Sequence, residues 1–304
     1  MKIYLSKINE SWIVDRVRKE WYENNKDIST KYISNADILW IISPWLWKKI
    51  PKKHLKQKKV ICSQYHFDFS NFDKSDFLNL DRYVDEYHVI SKKTENQLKK
   101  LTNKKITSIP FWINDKLFFH VHNKKKIRQE FGFQQDDYLV GSFQRDTEGS
   151  DLLSPKLVKG PDIFFNIVSK MYEENDKLKI ILSGKRRGYL INLFEKNNIP
   201  YKYYEMVDQE KLNLLYNLLD LYIVSSRIEG GPQAILESAI TKTPILSTDV
   251  GVASEILSQR SIYSVDNFEK ASTDIMYAYN EVQKYKLLNG MELFRNMMRD
   301  FYEN

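Results

Sequence analysis

Short apolar runs alternate with helical patterns along the N-terminal part of the chain. Near the start, Ile13, Val14, Val17 and Trp21 recur at helical spacing, and Ser11 is placed to cap that helix. A second helix is predicted from a Ser91 cap to about residue 101. Five apolar runs predict strands, at 2–6, 36–42, 59–63, 86–90 and 105–110. Strands that alternate with helices indicate parallel βαβ units.

The C-terminal part repeats this alternation, after a break near 114–130 that predicts a linker. Strands are predicted at 138–143, 178–183, 221–224 and 244–248, and helices at 162–172, 209–219, 233–240 and from about 268 onward. The sequence therefore predicts two doubly wound α/β domains, at 1–120 and 121–288. The last segment, 289–304, is predicted to be a helix that returns to the N-terminal domain. Because such sheets bind ligands at the carboxyl ends of their strands, we expect a ligand in a cleft between the domains.

Length and composition exclude several classes of protein. The chain has 304 residues, 42% of them hydrophobic and 29% charged, which excludes a disordered or membrane-embedded chain. Its longest nearly apolar stretch, 38–47, is too short to cross a bilayer, which takes about 20 residues. The single cysteine, Cys62, excludes an internal disulfide and a multi-cysteine metal site. The N-terminus lacks the apolar core of a signal peptide, so we expect a cytoplasmic protein.

Basic charge is concentrated in the N-terminal part. Residues 1–130 hold 27 Lys and Arg against 15 Asp and Glu, a balance of +12, and all six Trp lie between positions 12 and 112. The densest segment is 45–59, with seven Lys beside Trp45 and Trp47. Trp and Lys together suit reversible contact with an anionic membrane surface, here the inner face of the membrane. A solvated charged face is the more common alternative.

The most informative segment is 222–255, which reads as strand, polar turn, helix, strand and turn. Gly230 and Gly231 allow a ligand to approach the backbone, and Pro232 suits the first helical position. The amides of Gln233 and Ala234 then point out of the helix N-terminus and form an anion site suited to phosphate.

Two glutamates accompany this anion site. Glu229 lies in the loop before the helix and Glu237 in its second turn, so they can contact different parts of one ligand. An ordinary strand–helix turn with a solvated glutamate is the alternative. The two glutamates, the proline and the following Asp249-Val250-Gly251 turn together favour a ligand site.

This segment resembles the retaining nucleotide-sugar glycosyltransferases of GT-B fold, family 4 (glycosyl transferases group 1), whose E-x7-E signature matches Glu229 and Glu237. The resemblance continues upstream, in Gln144-Arg145 after a strand, in Lys159-Gly160 before a helix and in Ser183-Gly184. The runs EYHVISKKTENQLKK and ITSIPFWINDKLFF resemble the end of the family's N-terminal domain. In this chain DTEGSDLLSPKLV lengthens the spacing between the Arg and the Lys, and 7–10 contains no glycine.

The resemblance implies a GT-B fold, in which two Rossmann-like domains face each other across a cleft. It implies that Arg145 and Lys159 bind the donor diphosphate, that Glu229 contacts the transferred sugar and that Glu237 contacts the ribose. It also implies catalytic participation of His66, which follows the apolar run 59–63; a structural histidine is an equal alternative. The expected donor-binding residues are Gly184, Ser226, Gly230, Gly231, Gln233, Ala234 and Glu237.

Fixed cations and helix N–H groups can stabilise a departing diphosphate without a metal, and the sequence contains no Asp-x-Asp motif. We therefore expect a retaining, metal-independent hexosyltransferase with no cofactor. It would use a UDP- or GDP-sugar and act on a hydroxyl of a glycan or lipid-linked acceptor in polysaccharide biosynthesis. The enzyme alternative is a nucleotide-sugar 2-epimerase. The non-enzyme alternative is a nucleic-acid-binding protein, which would leave 222–255 unexplained.

Overall fold

The chain divides into two compact units. The first comprises Met1–Trp112 with Leu288–Asn304, and the second comprises Ile113–Leu287. The computed structural model describes residues 1–7 and 13–304. The proposed Ser11 cap and most of the glycine-free loop at 7–10 lie outside the described residues.

The first unit contains a parallel sheet of five strands in the order β1-β2-β3-β4-β5. The strands are β1 (Ile3–Leu5), β2 (Ile38–Ile41), β3 (Lys59–Gln64), β4 (Glu86–Val89) and β5 (Lys105–Ser108), and the helices are α1 (Ile13–Asn24), α2 (Lys52–Gln57), α3 (Lys74–Asp81) and α4 (Lys92–Leu98). All positions of β2 and β4 are buried, as expected for strands covered on both faces. The five predicted strands are confirmed, and Ser91 caps α4 by accepting from the Thr94 N–H at 3.2 Å.

The second unit contains a parallel sheet of six strands in the order β11-β10-β9-β6-β7-β8. The helices are α5 (Lys124–Glu130), α6 (Pro161–Glu174), α7 (Gly188–Lys196), α8 (Gln209–Leu218), α9 (Gln233–Thr241), α10 (Ala253–Ile256) and α11 (Ile275–Val282), and the strands are β6 (Tyr138–Ser142), β7 (Leu178–Ser183), β8 (Tyr201–Tyr204), β9 (Leu221–Val224), β10 (Ile245–Thr248) and β11 (Ile262–Tyr263). The strand order reverses between β6 and β9. Open α/β sheets bind their ligands at such a reversal.

The linker predicted near 114–130 is wrong, because this stretch folds as part of the second unit. Ile113 donates its N–H to the Tyr285 carbonyl at 2.8 Å, and Phe118 is fully buried. Asn123 caps α5 by accepting from the Lys126 N–H at 3.1 Å. Arg128 lies on the buried side of this helix and pairs with Asp220. The lysine run therefore starts a helix whose opposite side is buried.

The sequence analysis does not predict β8 and α7 of the second unit. Strand β8 has the sequence YKYY and lies at the sheet edge, where none of its residues is fully buried. Helix α7, with the sequence GYLINLFEK, precedes it, and its buried residues are Leu190 and Phe194. Edge strands with one solvated side lack the continuous apolar run that identifies buried parallel strands.

The last helix, α12 (Leu287–Glu303), contributes an aromatic side chain to the core of the first unit. Phe294 is fully buried, and its ring stacks on Phe111 with centroids 5.5 Å apart and on Trp40 at 5.4 Å. The ring edge of Trp112 completes the contact at 5.3 Å. Lys59 donates to the carbonyls of Phe301 and Tyr302 near the helix end.

We predict that Phe294→Ala destabilises the first unit by about 3–5 kcal/mol, because it removes a fully buried ring from a close-packed aromatic cluster. Tryptophan fluorescence during urea unfolding reports on this unit, since all six Trp lie between positions 12 and 112. Leu288→Ala is the control on the same helix, because Leu288 is 67% exposed. Equal unfolding midpoints for the two variants would contradict the proposed role of α12 in this core.

Candidate active site

The loops that follow β6 and β9 are joined by side-chain hydrogen bonds. Gln144 Nε2 donates to the Lys159 carbonyl at 2.8 Å, and Gln144 Oε1 accepts from Ser226 Oγ at 3.1 Å. Ser225 Oγ also donates to the Lys159 carbonyl, at 3.3 Å. The backbone of Lys159 is therefore fixed at the carboxyl ends of the two strands between which the strand order reverses.

Main-chain contacts fix the same short turn from its other side. Residues Leu157–Lys159 form a 3₁₀ turn, and the Val158 carbonyl accepts from the N–H groups of Arg227 and Ile228 at 2.9 and 3.1 Å. Arg227 also makes a bidentate pair with Asp162 on α6, at 2.8 and 2.7 Å. This contact sets the direction in which the loop after β9 continues toward Glu229.

Lys159 and Glu229 form an ion pair at this point. Lys159 Nζ donates to Glu229 Oε1, and the two side chains are only 19% and 14% exposed. A charge-assisted hydrogen bond with this degree of burial is stronger than a surface pair. The structure thus brings together two residues for which the resemblance implied different parts of the donor.

Gly160 makes this geometry possible. Its φ of +62° lies in the left-handed region, and a Cβ there would lie 1.8 Å from the Ser225 carbonyl oxygen. Only glycine fits so close an approach. Gly160 ends the 3₁₀ turn and precedes Pro161, the first residue of α6.

The N-terminus of α9 lies in the same loop as Glu229. The position predicted for Pro232 is wrong by one residue. Pro232 is the N-cap, with an extended ψ of 114°, and its carbonyl accepts from the Ile235 N–H at 2.9 Å. Gln233 and Ala234 are therefore the first two helical residues, and the N–H groups of a first turn point out of the helix N-terminus. This arrangement can bind an anion.

The two glycines of this loop differ in exposure, since Gly230 is buried and Gly231 half-buried. The turn after β10 packs directly on Gly230. Gly251 in that turn has a φ of +51°, and a Cβ there would lie 2.2 Å from the Gly230 carbonyl oxygen. The main chain of the turn after β10 therefore contacts the main chain of the loop before α9. This contact fixes the path of the loop that leads into α9.

Glu237 is buried, with 6% of its surface exposed. Its Oε2 accepts from the Tyr216 hydroxyl at 2.8 Å. Burial, with the nearby Glu237 carboxylate, holds the pKa of the Tyr216 phenol well above its usual value. Tyr216 therefore remains the donor in this bond, and it orients the carboxylate from the α8 side.

A buried ion pair connects the ends of β6 and β7. Arg187 Nε donates to Asp146 at 2.8 Å, and Arg187 also donates to the carbonyls of Ser142 and Ser183 at 2.7 and 2.9 Å. Burial raises the pKa of Asp146 and lowers that of Arg187. Gly184, a predicted donor-binding residue, follows β7 with a φ of +88°. The sequence did not indicate this pair, because its members lie 41 positions apart.

Residues 123–286 match the model of the family described as glycosyl transferases group 1. This match covers more than half of the chain. The chain belongs to this family. The matched region contains every proposed site residue except His66.

The relatives with known names are distant. The O-antigen biosynthesis glycosyltransferase WclY of Escherichia coli is 24% identical over 230 residues, which cover 73% of this chain and 61% of WclY. The chain thus spans about three fifths of the length of the curated relatives it matches.

Solved structures are similar in fold to nearly the whole chain. Anabaena Alr3699/HepE, crystallised with UDP-glucose, matches with a TM-score of 0.75 at 11% identity, over 98% of this chain and 99% of that protein. Sucrose-phosphate synthase from Thermosynechococcus elongatus matches with a TM-score of 0.69 at 14% identity, over 97% and 81%. At these identities the likeness establishes the fold, and the predicted GT-B fold with its two parallel sheets is confirmed.

His66 belongs to the first unit. It lies two residues beyond the end of β3, is exposed, and lines an open pocket of about 270 Å³ with Trp45, Phe72 and Asp68 among others. The pocket therefore offers aromatic and polar groups at the carboxyl end of this sheet.

A different histidine of this unit is structural. His88 is fully buried, with Nδ1 2.8 Å from Ser63 Oγ and Nε2 donating to the Ile109 carbonyl at 2.7 Å. Burial lowers the pKa of His88 to about 4. It is therefore neutral at neutral pH.

The segment 45–59 is less available to a membrane than its sequence indicated. Trp47 is only 8% exposed and belongs to the core of the first unit, whereas Trp45 is 43% exposed. Lys48 pairs with Asp76 at 2.7 Å.

Across residues 1–7 and 13–304, no helix is long and apolar enough to cross a membrane. In those same ranges no group of three or more His, Cys, Asp and Glu side chains could hold a metal ion.

We predict that Gly160→Ala displaces Lys159 from Glu229, because the added methyl group would occupy the space of the Ser225 carbonyl. The left-handed backbone adds a cost of about 1 kcal/mol. Thermal unfolding should show a lower midpoint, and a crystal structure of the variant should show the ion pair broken. Gly149→Ala is the control, because Gly149 also has a positive φ but its Cβ would meet only a side chain. Equal effects of the two substitutions would show that backbone conformation alone matters.

Proposed function

We propose that this protein is a retaining, metal-independent glycosyltransferase that transfers a hexose from a UDP- or GDP-sugar to a hydroxyl of a glycan or lipid-linked acceptor. The observation that carries the proposal is the Lys159–Glu229 ion pair at the strand-order reversal, in the same loop as the N-terminus of α9. Membership of the glycosyl transferases group 1 family supports the reaction class.

The proposed chemistry requires stabilisation of a leaving diphosphate. When the bond between the sugar and the diphosphate breaks, negative charge develops on the phosphate oxygens. Arg145 and Lys159 supply positive charge, and the N-terminus of α9 supplies oriented N–H groups. Once the donor is bound, these three elements face the phosphate oxygens on which the charge develops.

The ion pair gives Glu229 and Lys159 linked roles. An incoming diphosphate competes with Glu229 for the Lys159 ammonium group. As Lys159 turns to the diphosphate, the Glu229 carboxylate becomes an acceptor for hydroxyl groups of the transferred sugar. Donor binding therefore assembles both contacts at once, while Glu237, oriented by Tyr216, accepts from the ribose hydroxyls.

Retention of configuration is proposed to follow from departure and attack on the same face of the sugar. The anomeric carbon–phosphate oxygen bond breaks, and the acceptor oxygen bonds to the anomeric carbon from the side that the diphosphate leaves. The departing phosphate oxygen takes the proton of the acceptor hydroxyl. His66 is proposed to contact the reacting sugar, and its exposed position beyond β3 supports this role.

The substrate classes are proposed from the relatives. Alr3699/HepE was crystallised with UDP and UDP-glucose, which supports a UDP-sugar donor. WclY is named for O-antigen biosynthesis, which supports a cell-surface glycan as acceptor. A location at the inner face of the membrane is supported by Trp45 and by the exposed lysines of 45–59, which are Lys48, Lys49, Lys52, Lys53 and Lys56.

We predict that Arg145→Ala and Lys159→Ala each lower turnover about 100- to 1000-fold, as expected for loss of a charge partner of the transition state. A thermal-shift panel of UDP- and GDP-sugars first identifies the donor, because a bound ligand raises the unfolding temperature. Release of the nucleoside diphosphate is then measured with that donor. Lys170→Ala, a change at an exposed lysine of α6, is the control. Near-normal turnover in both site variants would contradict the assignment, and epimerised donor without transfer would favour the 2-epimerase.

We predict opposite effects at the two glutamates. Glu229→Gln should bind free UDP or GDP as tightly as the wild type or several-fold more tightly, because Lys159 no longer has a carboxylate competitor, while turnover falls. Glu237→Gln should weaken binding of the same nucleotide, because the ribose loses a charged acceptor. Isothermal calorimetry measures both affinities. Weaker nucleotide binding by the Glu229 variant and unchanged binding by the Glu237 variant would reverse the two roles.

A further inference from the structure

The insertion between Arg145 and Lys159 folds into an ordered hairpin. Thr147 and Pro155 form an antiparallel bridge, and Glu148 donates its N–H to the Ser154 carbonyl at 2.9 Å. The base is closed by the Lys156 N–H, which donates to the Asp146 carbonyl at 2.8 Å. Asp146 is itself held by the buried guanidinium of Arg187. The position of Lys156 is therefore fixed by the sheet.

Backbone geometry places Lys156 beside both predicted diphosphate ligands. Its N–H donates to the carbonyl of Asp146, the residue next to Arg145. Lys156 is also the N-cap of the 3₁₀ turn that ends at Lys159, and the Lys159 N–H donates to the Lys156 carbonyl at 2.8 Å. Main-chain hydrogen bonds therefore join Lys156 to the neighbour of one predicted ligand and directly to the other.

Lys156 is held close to other positive charges. Its side chain is only 21% exposed. Burial lowers the pKa of the Lys156 ammonium, and the positive charges of Arg145 and Lys159 lower it further. The Glu148 carboxylate, 3.7 Å from the Lys156 Nζ and 55% exposed, acts in the opposite direction and raises this pKa, but the net shift is downward.

This cluster carries more positive than negative charge, which favours binding of an anion. Lys159 has Glu229 as a partner and Lys156 has Glu148, whereas no carboxylate within 1–7 and 13–304 pairs with Arg145. The three positive charges therefore exceed the two negative ones, and a bound anion relieves the repulsion that Arg145 and Lys159 exert on Lys156. A diphosphate carries a negative charge on each phosphate group, so it suits a cluster of this size.

We propose that Lys156, supplied by the inserted hairpin, is a third cationic ligand of the donor diphosphate beside Arg145 and Lys159. This inference rests on the proposed function, because it assigns a further residue to the same donor site. It also assigns a function to the insertion, because the hairpin supplies the additional ammonium group of Lys156 to the donor site.

The test is the affinity for UDP and GDP, with UMP and GMP as probes that lack the second phosphate. The first variant is Lys156→Gln, which preserves most of the side-chain stem. Its affinity for whichever of UDP and GDP the wild type binds more tightly should be about tenfold lower or more, as for a lost charge-assisted hydrogen bond. Its effect on the matching monophosphate should be several-fold smaller. Lys156→Arg should restore most of the affinity, and Lys170→Ala should bind as the wild type does.

Glu148→Gln separates a diphosphate contact from a structural role in the hairpin. It removes the carboxylate partner of Lys156 but leaves the ammonium group in place. We expect diphosphate affinity equal to the wild type or higher. A loss as large as that of Lys156→Gln would show that the pair acts by holding the hairpin, and would overturn the inference.

The remaining outcomes distinguish this inference from the proposed function. If the wild type binds UDP or GDP and Lys156→Gln binds it equally well, the inference fails while the proposed function stands. If the wild type binds neither nucleotide, the proposed function fails and the inference fails with it. If Lys156→Gln loses affinity equally for the diphosphate and the monophosphate, Lys156 does not contact the second phosphate. This result would also overturn the inference.

Discussion

The ion pair between Lys159 and Glu229 is the interaction on which the rest of the proposed site depends. It joins the segment before α6 to the loop before α9, and these segments follow different strands of one sheet. Backbone contacts next to Lys159 hold the segment from which its side chain extends. Gly160 allows the close approach to Ser225, and Gln144 fixes the Lys159 carbonyl. The fold therefore places two opposite charges where the strand order reverses, which is where α/β sheets bind ligands.

In the proposed function, this pair lets an anionic donor bind by an exchange of partners. We propose that a diphosphate attracts Lys159 and releases the Glu229 carboxylate to the sugar, so that one exchange prepares two contacts. The inserted hairpin adds Lys156 on the side of Arg145. Its base rests on the buried pair of Asp146 and Arg187, so the cluster is built on the ends of β6 and β7 rather than on an unsupported loop. Support of this kind fixes the backbone from which these side chains extend.

Apolar runs were sufficient to predict the buried strands, because parallel strands covered on both faces leave few polar positions. They could not predict β8, whose YKYY sequence is half solvated at the sheet edge. They also indicated a linker at the lysine run where α5 forms, because α5 is buried by long-range contacts. Ile127 belongs to the core of the second unit, and Arg128 pairs with Asp220, 92 positions away.

In the candidate site, too, the sequence predicts local features but not the contacts between separate elements. Local sequence was enough to place Glu229 before a helix N-terminus and Lys159 before α6, because glycine and proline mark both turns. It could not show that the two form a pair, nor that Tyr216 orients Glu237, since both contacts join separate elements. Trp47 illustrates the reverse case. Its place beside a lysine run suggested contact with a membrane surface, but tertiary packing buries it.

A crystal structure of the protein with bound UDP, or GDP if that nucleotide binds more tightly, tests the central claim most directly. The account predicts that the diphosphate oxygens lie within hydrogen-bonding distance of Arg145 and Lys159, at the N-terminus of α9. It further predicts that Lys159 has moved away from Glu229 toward the phosphate. A nucleotide bound elsewhere, or bound at this site with the Lys159–Glu229 pair intact and no phosphate contact to Lys159, would contradict it.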